Sequence, residues 1–187
     1  MGWTATGSGG LLFNAAHHIF KAEPTNVWAS CNERTDNPLF NEVEETIAVT
    51  IVFPRGRIAQ FIVSFGADTC DSYTVVGTAG SLTMDPAYRF ESAMRLKQRN
   101  QEIMKADQFP YTVQFAGMTA YFSECILKCN PPESDGSEGL ADLTILLAVE
   151  KSDQTGYPQK IELPERLVHS NATMIHQYPR SEKKLLI

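Results

Sequence analysis

Residues 46–53 read Thr-Ile-Ala-Val-Thr-Ile-Val-Phe. Side chains alternate across a strand, so Ile47, Val49, Ile51 and Phe53 point one way and Thr46, Ala48, Thr50 and Val52 the other. Pro54-Arg55-Gly56 breaks the run as a turn. Arg57 to Phe65 then resumes it, with Ala59, Phe61, Val63 and Phe65 alternating against Ile58, Gln60, Ile62 and Ser64. Two such runs joined by a short turn form an antiparallel hairpin.

The pattern extends outward on both sides. Downstream, 71–78 and 81–85 read as two more strands around an Ala79-Gly80 turn, with short strands near 94–98 and 102–106. Upstream, 25–31 reads as a strand and 11–22 as a helix, which Pro24 stops. The second half changes period. Residues 112–129 carry apolar side chains compatible with one helix, ended by Asn130-Pro131-Pro132. Residues 138–155 form another, with Gly156 past its end and Pro158 beyond. A last short strand spans 159–163, and 164–187 form a polar tail. The expected division is therefore a domain over 1–163 and a tail over 164–187. Strands in a block followed by helices in a block give an α+β class: a mostly antiparallel, open-faced sheet with helices packed on one face.

The second sheet face carries Val52, Ile58, Ile62 and Val76 among Thr and Ser. That is more apolar than a solvated face requires, so it is expected to meet a partner.

The chain has 187 residues, enough for one sizeable core without disulfides or metals. Its 16 basic and 22 acidic residues give a net charge of −6. That balance argues against general nucleic-acid affinity, which needs clustered Lys and Arg, and against a polybasic membrane surface. No apolar run approaches the ~18 residues of a membrane helix. Met1 to Gly10 has no basic or long apolar stretch of a signal peptide, so a cytoplasmic location is expected. Asn171-Ala172-Thr173 matches a glycosylation sequon, which chance explains without a signal sequence.

The four cysteines, at 31, 70, 125 and 129, include no C-x-x-C. Cys125 and Cys129 fall four apart on the expected helix. They read as two small apolar residues on a buried face rather than a redox or zinc pair, and no metal is expected. Gly7, Gly9 and Gly10 form the one glycine-rich cluster, and no strand precedes it as a dinucleotide fingerprint requires.

An ordered set of segments resembles the C-terminal domain of the Gfo/Idh/MocA (glucose–fructose oxidoreductase / inositol dehydrogenase / rhizopine catabolism) family, in its glucose–fructose oxidoreductase-like subgroup. The carrying residues in the first half are Phe13-Asn14-Ala15-Ala16, Phe20 to Thr25, Glu42 to Glu45 and Phe53 to Arg57. Val75 to Leu82 and Asp85 to Tyr88 continue the match. The helical half adds Asp107-Gln108-Phe109, Tyr121 to Leu127, Glu138 to Asp142 and Thr155-Gly156. Together they cover about residues 9–163 in order. The resemblance implies an open-faced antiparallel sheet, often packed sheet-to-sheet between subunits, and so a homo-oligomer such as a dimer. It implies a sugar or polyol as the small ligand. Whole members also carry an N-terminal Rossmann domain that holds NAD(P) and supplies a Glu-Lys-Pro lysine, so this chain is expected to hold no cofactor itself. NAD(P) enters only if a Rossmann domain is supplied elsewhere.

The family's catalytic stretch runs Gly-Gly-x-x-x-Asp-x-Gly-x-(His or Tyr). Here Gly9-Gly10-Leu11-Leu12 leads almost straight into Phe13-Asn14-Ala15-Ala16. The preferred register deletes the Asp and the His or Tyr, leaving His17 and His18 as ordinary helix residues. An alternative register places Asn14 at the Asp position and His17 near the catalytic His, giving those two as candidate catalytic residues. Asp85 and Tyr88 are candidate substrate-binding residues; a turn aspartate before Pro86 and a packed tyrosine are the plainer reading. Asp107 is expected to cap the following helix. Three functions follow: a truncated or degenerate domain retained for self-association, a domain that completes an oxidoreductase with a separate Rossmann domain, or a non-catalytic sugar-binding module. Hydride transfer needs a nicotinamide held against the substrate, so this chain alone is not expected to be an active dehydrogenase.

Overall fold

The computed structural model describes residues 10–32, 38–40, 43–89, 92–100, 103–110 and 114–164. The tail and the Asn171 sequon lie outside them, as do Gly7 and Gly9. The described elements run α1 (Gly10–Phe20), β1 (Asn26–Asn32), β2 (Thr46–Phe53), β3 (Arg57–Ser64), β4 (Tyr73–Gly77), β5 (Gly80–Met84), β6 (Met94–Arg99), β7 (Met104–Phe109), α2 (Gln114–Lys128), α3 (Gly136–Thr155) and β8 (Gln159–Lys160). Every described strand pairing is antiparallel, so the α+β class holds. The strands fall into two four-stranded sheets, β3-β2-β1-β8 and β4-β5-β6-β7. The chain correspondingly divides into two units, which meet in sequence at Ala67/Asp68 and Asn130/Pro131.

The first unit is built on the β2–β3 hairpin. Buried and half-buried residues alternate strictly along β2, with Ile47, Val49, Ile51 and Phe53 buried. The hairpin register pairs Phe53 with Arg57, which leaves Pro54-Arg55-Gly56 as a three-residue connection. Arg55 and Gly56 both take positive φ there (65° and 70°), the conformation a tight reversal demands. Arg57 locks the turn: its Nε donates to the Pro54 carbonyl at 3.0 Å. Its guanidinium also donates to the Phe20 carbonyl and lies 5.4 Å from the Phe20 ring centre. Edge-to-face contacts of Phe13 with Phe61 (5.2 Å) and of Phe20 with Phe53 (4.9 Å) seat α1 on the same hairpin.

Helix α3 covers the rest of that face. Asp135 caps its start by accepting from the Ser137 and Glu138 amides. Gly156 ends it at φ 72°. Ala141, Ile145, Val149 and Ser152 are buried, three or four residues apart as one helix face requires. Ile145 and Val149 join Val27, Ile47, Val49, Ile51 and Phe13 in one core. The buried polar member, Ser152, is fully engaged. Its Oγ accepts from the Ala29 amide at 3.0 Å and donates to the Tyr157 carbonyl at 2.9 Å. Asp153 Oδ1 accepts from the Cys31 amide at 2.7 Å. β8 pairs with β1 only at Asn26 and Val27. The end of α3 therefore satisfies the amides that β8 is too short to reach, which blunts an otherwise open sheet edge.

The opposite face of this sheet carries exposed and half-exposed side chains. Asn26, Val52 and Ile58 share one row, Trp28, Thr50 and Gln60 the next, and Ser30, Ala48 and Ile62 a third. Ile58 and Ile62 are 57% and 71% exposed, and Trp28 is 43% exposed. The expected apolar second face thus exists with Val52, Ile58 and Ile62, and gains Trp28. Val76 does not belong to it. Its strand pairs with β5 and opens the second sheet, so Val76 lies in the other unit.

The second unit is a β-meander, β4 to β7, with α2 following in sequence. Gly77 pairs with Gly80, so the turn residues are Thr78 and Ala79 and Gly80 opens β5. Two expectations fail here. Asp107 is not a helix cap: it sits in β7 opposite Leu96, seven residues before α2, and pairs with Lys105 at 3.0 Å. Cys125 and Cys129 do not share a buried face. Cys125 is buried, but α2 ends at Lys128 and Cys129 is exposed at φ 53°. The Cys129 amide donates to Ile126 and the Asn130 amide to Cys125, the paired bonds of a Schellman ending.

Candidate functional site

The candidate residues belong to different units. Asn14 and His17 lie one turn apart on α1 in the first unit; Asp85 and Tyr88 lie after β5 in the second.

Asn14 is exposed. His17 is half-buried near the end of α1. Lys21 at φ 48° ends the helix, its amide donating to the His17 carbonyl at 2.8 Å. The chain then turns back, and Glu23 reaches His17, Oε1 lying 3.1 Å from Nε2. Beside this pair is a small pocket lined by Phe13, Pro24, Ile51, Phe53, Asp142 and Ile145. Its room for solvent, about 10 Å³, is that of a single water, so no sugar ring enters as it stands. Glu23 was not foreseen as the partner of His17. The sequence signal was the helix stop before Pro24, which forces a reversal within hydrogen-bond reach.

In the second unit one carboxylate organises the loop after β5. Asp71 Oδ1 accepts from the Ala87 amide at 3.2 Å and the Tyr88 amide at 2.7 Å. Its Oδ2 lies 3.4 Å from Arg89 Nε. The Ala87 amide also donates to the Asp71 carbonyl at 3.0 Å. Asp85 is exposed, and its amide donates to the Arg95 carbonyl at 2.9 Å. The Tyr88 ring lies 5.9 Å from the Tyr73 ring. Burial, then the neighbouring Tyr73 and Asp71, push the Tyr88 phenol up to about 12. At neutral pH Tyr88 is thus a hydrogen-bond donor. Asp71 escaped the sequence reading because its partners lie 16 and 17 residues away.

The raised phenol has a measurable consequence. Between pH 10 and 12 folded Tyr88 keeps a proton that the unfolded chain loses. Stability contributed by the neutral phenol is therefore fully present below pH 10 and falls as pH rises toward 12. Partial exposure keeps the loss small. Stability in alkaline denaturation should fall less steeply over that range in Tyr88→Phe than in wild type; identical curves would show that the phenol is not held in this way.

No group of three or more His, Cys, Asp or Glu among the described residues is placed to hold a metal ion. Nor do the described residues fit a nicotinamide dinucleotide. That cofactor lies where a parallel strand turns through glycines into a helix, whereas both sheets here are antiparallel and Gly77 and Gly80 close a hairpin. A Cβ on Gly80 would meet the Arg99 carbonyl, so the space beside it is filled by the sheet itself.

Two antiparallel sheets with three helices define an α+β domain. Residues 8–83 match the family model of the GFO/IDH/MocA C-terminal domain. Among solved structures the chain is similar to the aldose-aldose oxidoreductase from Caulobacter crescentus, complexed with glycerol. That match has 27% identity and a TM-score of 0.77 over 86% of this chain and 48% of that one. An oxidoreductase domain protein from Kribbella flavida shares the fold at 16% identity and a TM-score of 0.66, over 88% of this chain and 52% of that one. KijD10, a 3-ketoreductase from Actinomadura kijaniata solved with NADP, does so at 19% identity and 0.66, over 78% and 46%. The chain spans about half the length of each of these structures. No described helix is long and apolar enough to cross a membrane.

Proposed function

We propose that this chain is the substrate-side and oligomerisation domain of a GFO/IDH/MocA-type sugar or polyol oxidoreductase, of the glucose–fructose oxidoreductase-like subgroup. It is not catalytic alone, and NAD(P) is held by a Rossmann domain outside these residues. The observation that carries the reading is the likeness to half of a sugar oxidoreductase at 27% identity over 86% of the chain. In this reading Asp85 accepts from a sugar hydroxyl and the protonated Tyr88 donates to one. The exposed face of Trp28, Ile58 and Ile62 meets the same face of a second copy, because water on such a patch is displaced favourably when two copies meet.

Two measurements test it. Light scattering at micromolar concentration should give a dimer or larger assembly, and Ile62→Asp should give monomer; a wild-type monomer overturns the oligomerisation role. Calorimetry with D-glucose, D-xylose and glycerol should give binding that Asp85→Asn weakens at least severalfold. No heat with any of the three overturns the substrate-side role.

A further inference from the structure

The second sheet carries a charge pattern that the sugar-side reading does not use. Arg95, Lys97 and Arg99 alternate along β6, so all three project from one face, and all are exposed. β6 is an interior strand between β5 and β7. Successive cations are two strand residues apart, about 7 Å, so the row runs about 13 Å along the strand. The register places Thr83 and Ala106 beside Lys97, Ser81 and Met104 beside Arg99, and Gln108 beside Arg95.

Elsewhere among the described residues, ion pairs join Arg89 to Asp71, Lys105 to Asp107, Lys128 to Glu124 and Lys160 to Glu162, while Lys21, Arg55 and Lys151 are scattered singly along the chain. No described carboxylate lies within ion-pair distance of Arg95, Lys97 or Arg99. Ordinary solvated faces intersperse the two signs, which relieves like-charge repulsion. Here three like charges stand in a row on a chain of net charge −6.

We propose that this face binds an anionic carbohydrate chain, its carboxylates set along the Arg95–Lys97–Arg99 row and its hydroxyls on Ser81 and Thr83. Charge complementarity names an anion, and the row's length names an extended one. The lack of a described aromatic on this face argues against nucleic acid, because sheets that bind single strands stack bases on aromatic rings. The flanking hydroxyl and amide side chains match the hydrogen-bonding groups of a sugar.

The test is affinity electrophoresis of the full chain in gels containing oligogalacturonate, with dextran as the uncharged counterpart. Oligogalacturonate should retard the protein and dextran should not. Affinity should fall roughly tenfold or more on moving from low to high salt, because exposed charges are screened. Arg95→Gln with Lys97→Gln and Arg99→Gln should lose at least tenfold in affinity, whereas Lys105→Gln, on the other face, should keep it. Should the triple variant unfold by circular dichroism, Arg95→Lys with Arg99→Lys supplies the check: the charge-keeping pair should retain binding. Wild type that is not retarded overturns the proposal. So does equal retardation of a folded triple variant, lost binding in a folded charge-keeping pair, or tighter binding of a single-stranded DNA oligomer.

Discussion

Replacing Ile51 by alanine is expected to cost the first unit about 3 kcal/mol, within the range for buried isoleucine truncations. Ile51 is 1% exposed on β2, between Val27 of β1 and Ala59 of β3 in the register. It also lines the small pocket beside His17 and Glu23. Removing its three outer carbons would enlarge that pocket rather than leave a gap the core can close, which holds the cost well above zero. A domain has only about 5–15 kcal/mol in all, so the shift should be plain in urea titration of the intact chain. Fluorescence of Trp28, one strand position from Val27, reports on this sheet. The outer face supplies the contrast. Ile62→Ala removes as much side chain but from a position 71% exposed in the single chain, and below the concentration at which copies associate it should move stability by no more than about 0.5 kcal/mol. Equal losses at the two positions would contradict the assignment of the two faces.

Gly80→Ala is expected to destabilise the second unit by about 2–4 kcal/mol, combining strain at an unusual φ with overpacking. Gly80 sits at φ 153° where β5 begins. A Cβ there would lie 2.2 Å from the Arg99 carbonyl oxygen, 3.0 Å from the Asn100 Cα and 3.1 Å from the Arg99 carbonyl carbon. All three are backbone atoms, so no rotamer change relieves the contact and the β5–β6 spacing must widen. Gly77, its partner across the hairpin, has only the Gly80 carbonyl near, at 3.8 Å. Gly77→Ala should therefore fold with little loss. Thermal unfolding of the two variants separates the cases; similar melting temperatures would mean that β5 and β6 do not approach as closely as described.

Much of this fold was legible locally. The strict alternation of 46–53 matches β2 residue for residue, and Pro54-Arg55-Gly56 is the hairpin connection. Alternation reports one-sided burial directly, and a proline followed by a glycine in a short gap leaves few backbone paths. The helix periods of 112–129 and 138–155 correspond to α2 and α3 within a few residues. What failed turned on backbone hydrogen bonding that periodicity does not report. The Ala79-Gly80 turn moved back one residue because the β4–β5 register pairs Gly77 with Gly80. Asp107 became a strand residue because β7 extends to Phe109 to complete its ladder with β6. Cys129 left the helix face because the Schellman ending turns the chain at that residue.

The candidate residues divide along the same line. Their chemistry was in the sequence: a histidine on a helix, an aspartate before a proline, a tyrosine three residues on. Their partners were not. Glu23 reaches His17 only after α1 ends, and Asp71 holds Tyr88 from across the loop. By itself the sequence determined the α+β class, the order of elements and the core-facing side of the central hairpin. Those follow from periodicity and turn residues, which act over a few positions. Only the tertiary structure decided that the strands form two sheets and that Val76 therefore leaves the apolar face of Ile58 and Ile62. It also decided that Ser152 and Asp153 close the β1 edge. The reason is physical: strand pairing and buried hydrogen bonding join groups up to 123 residues apart, and no local propensity selects among such partners.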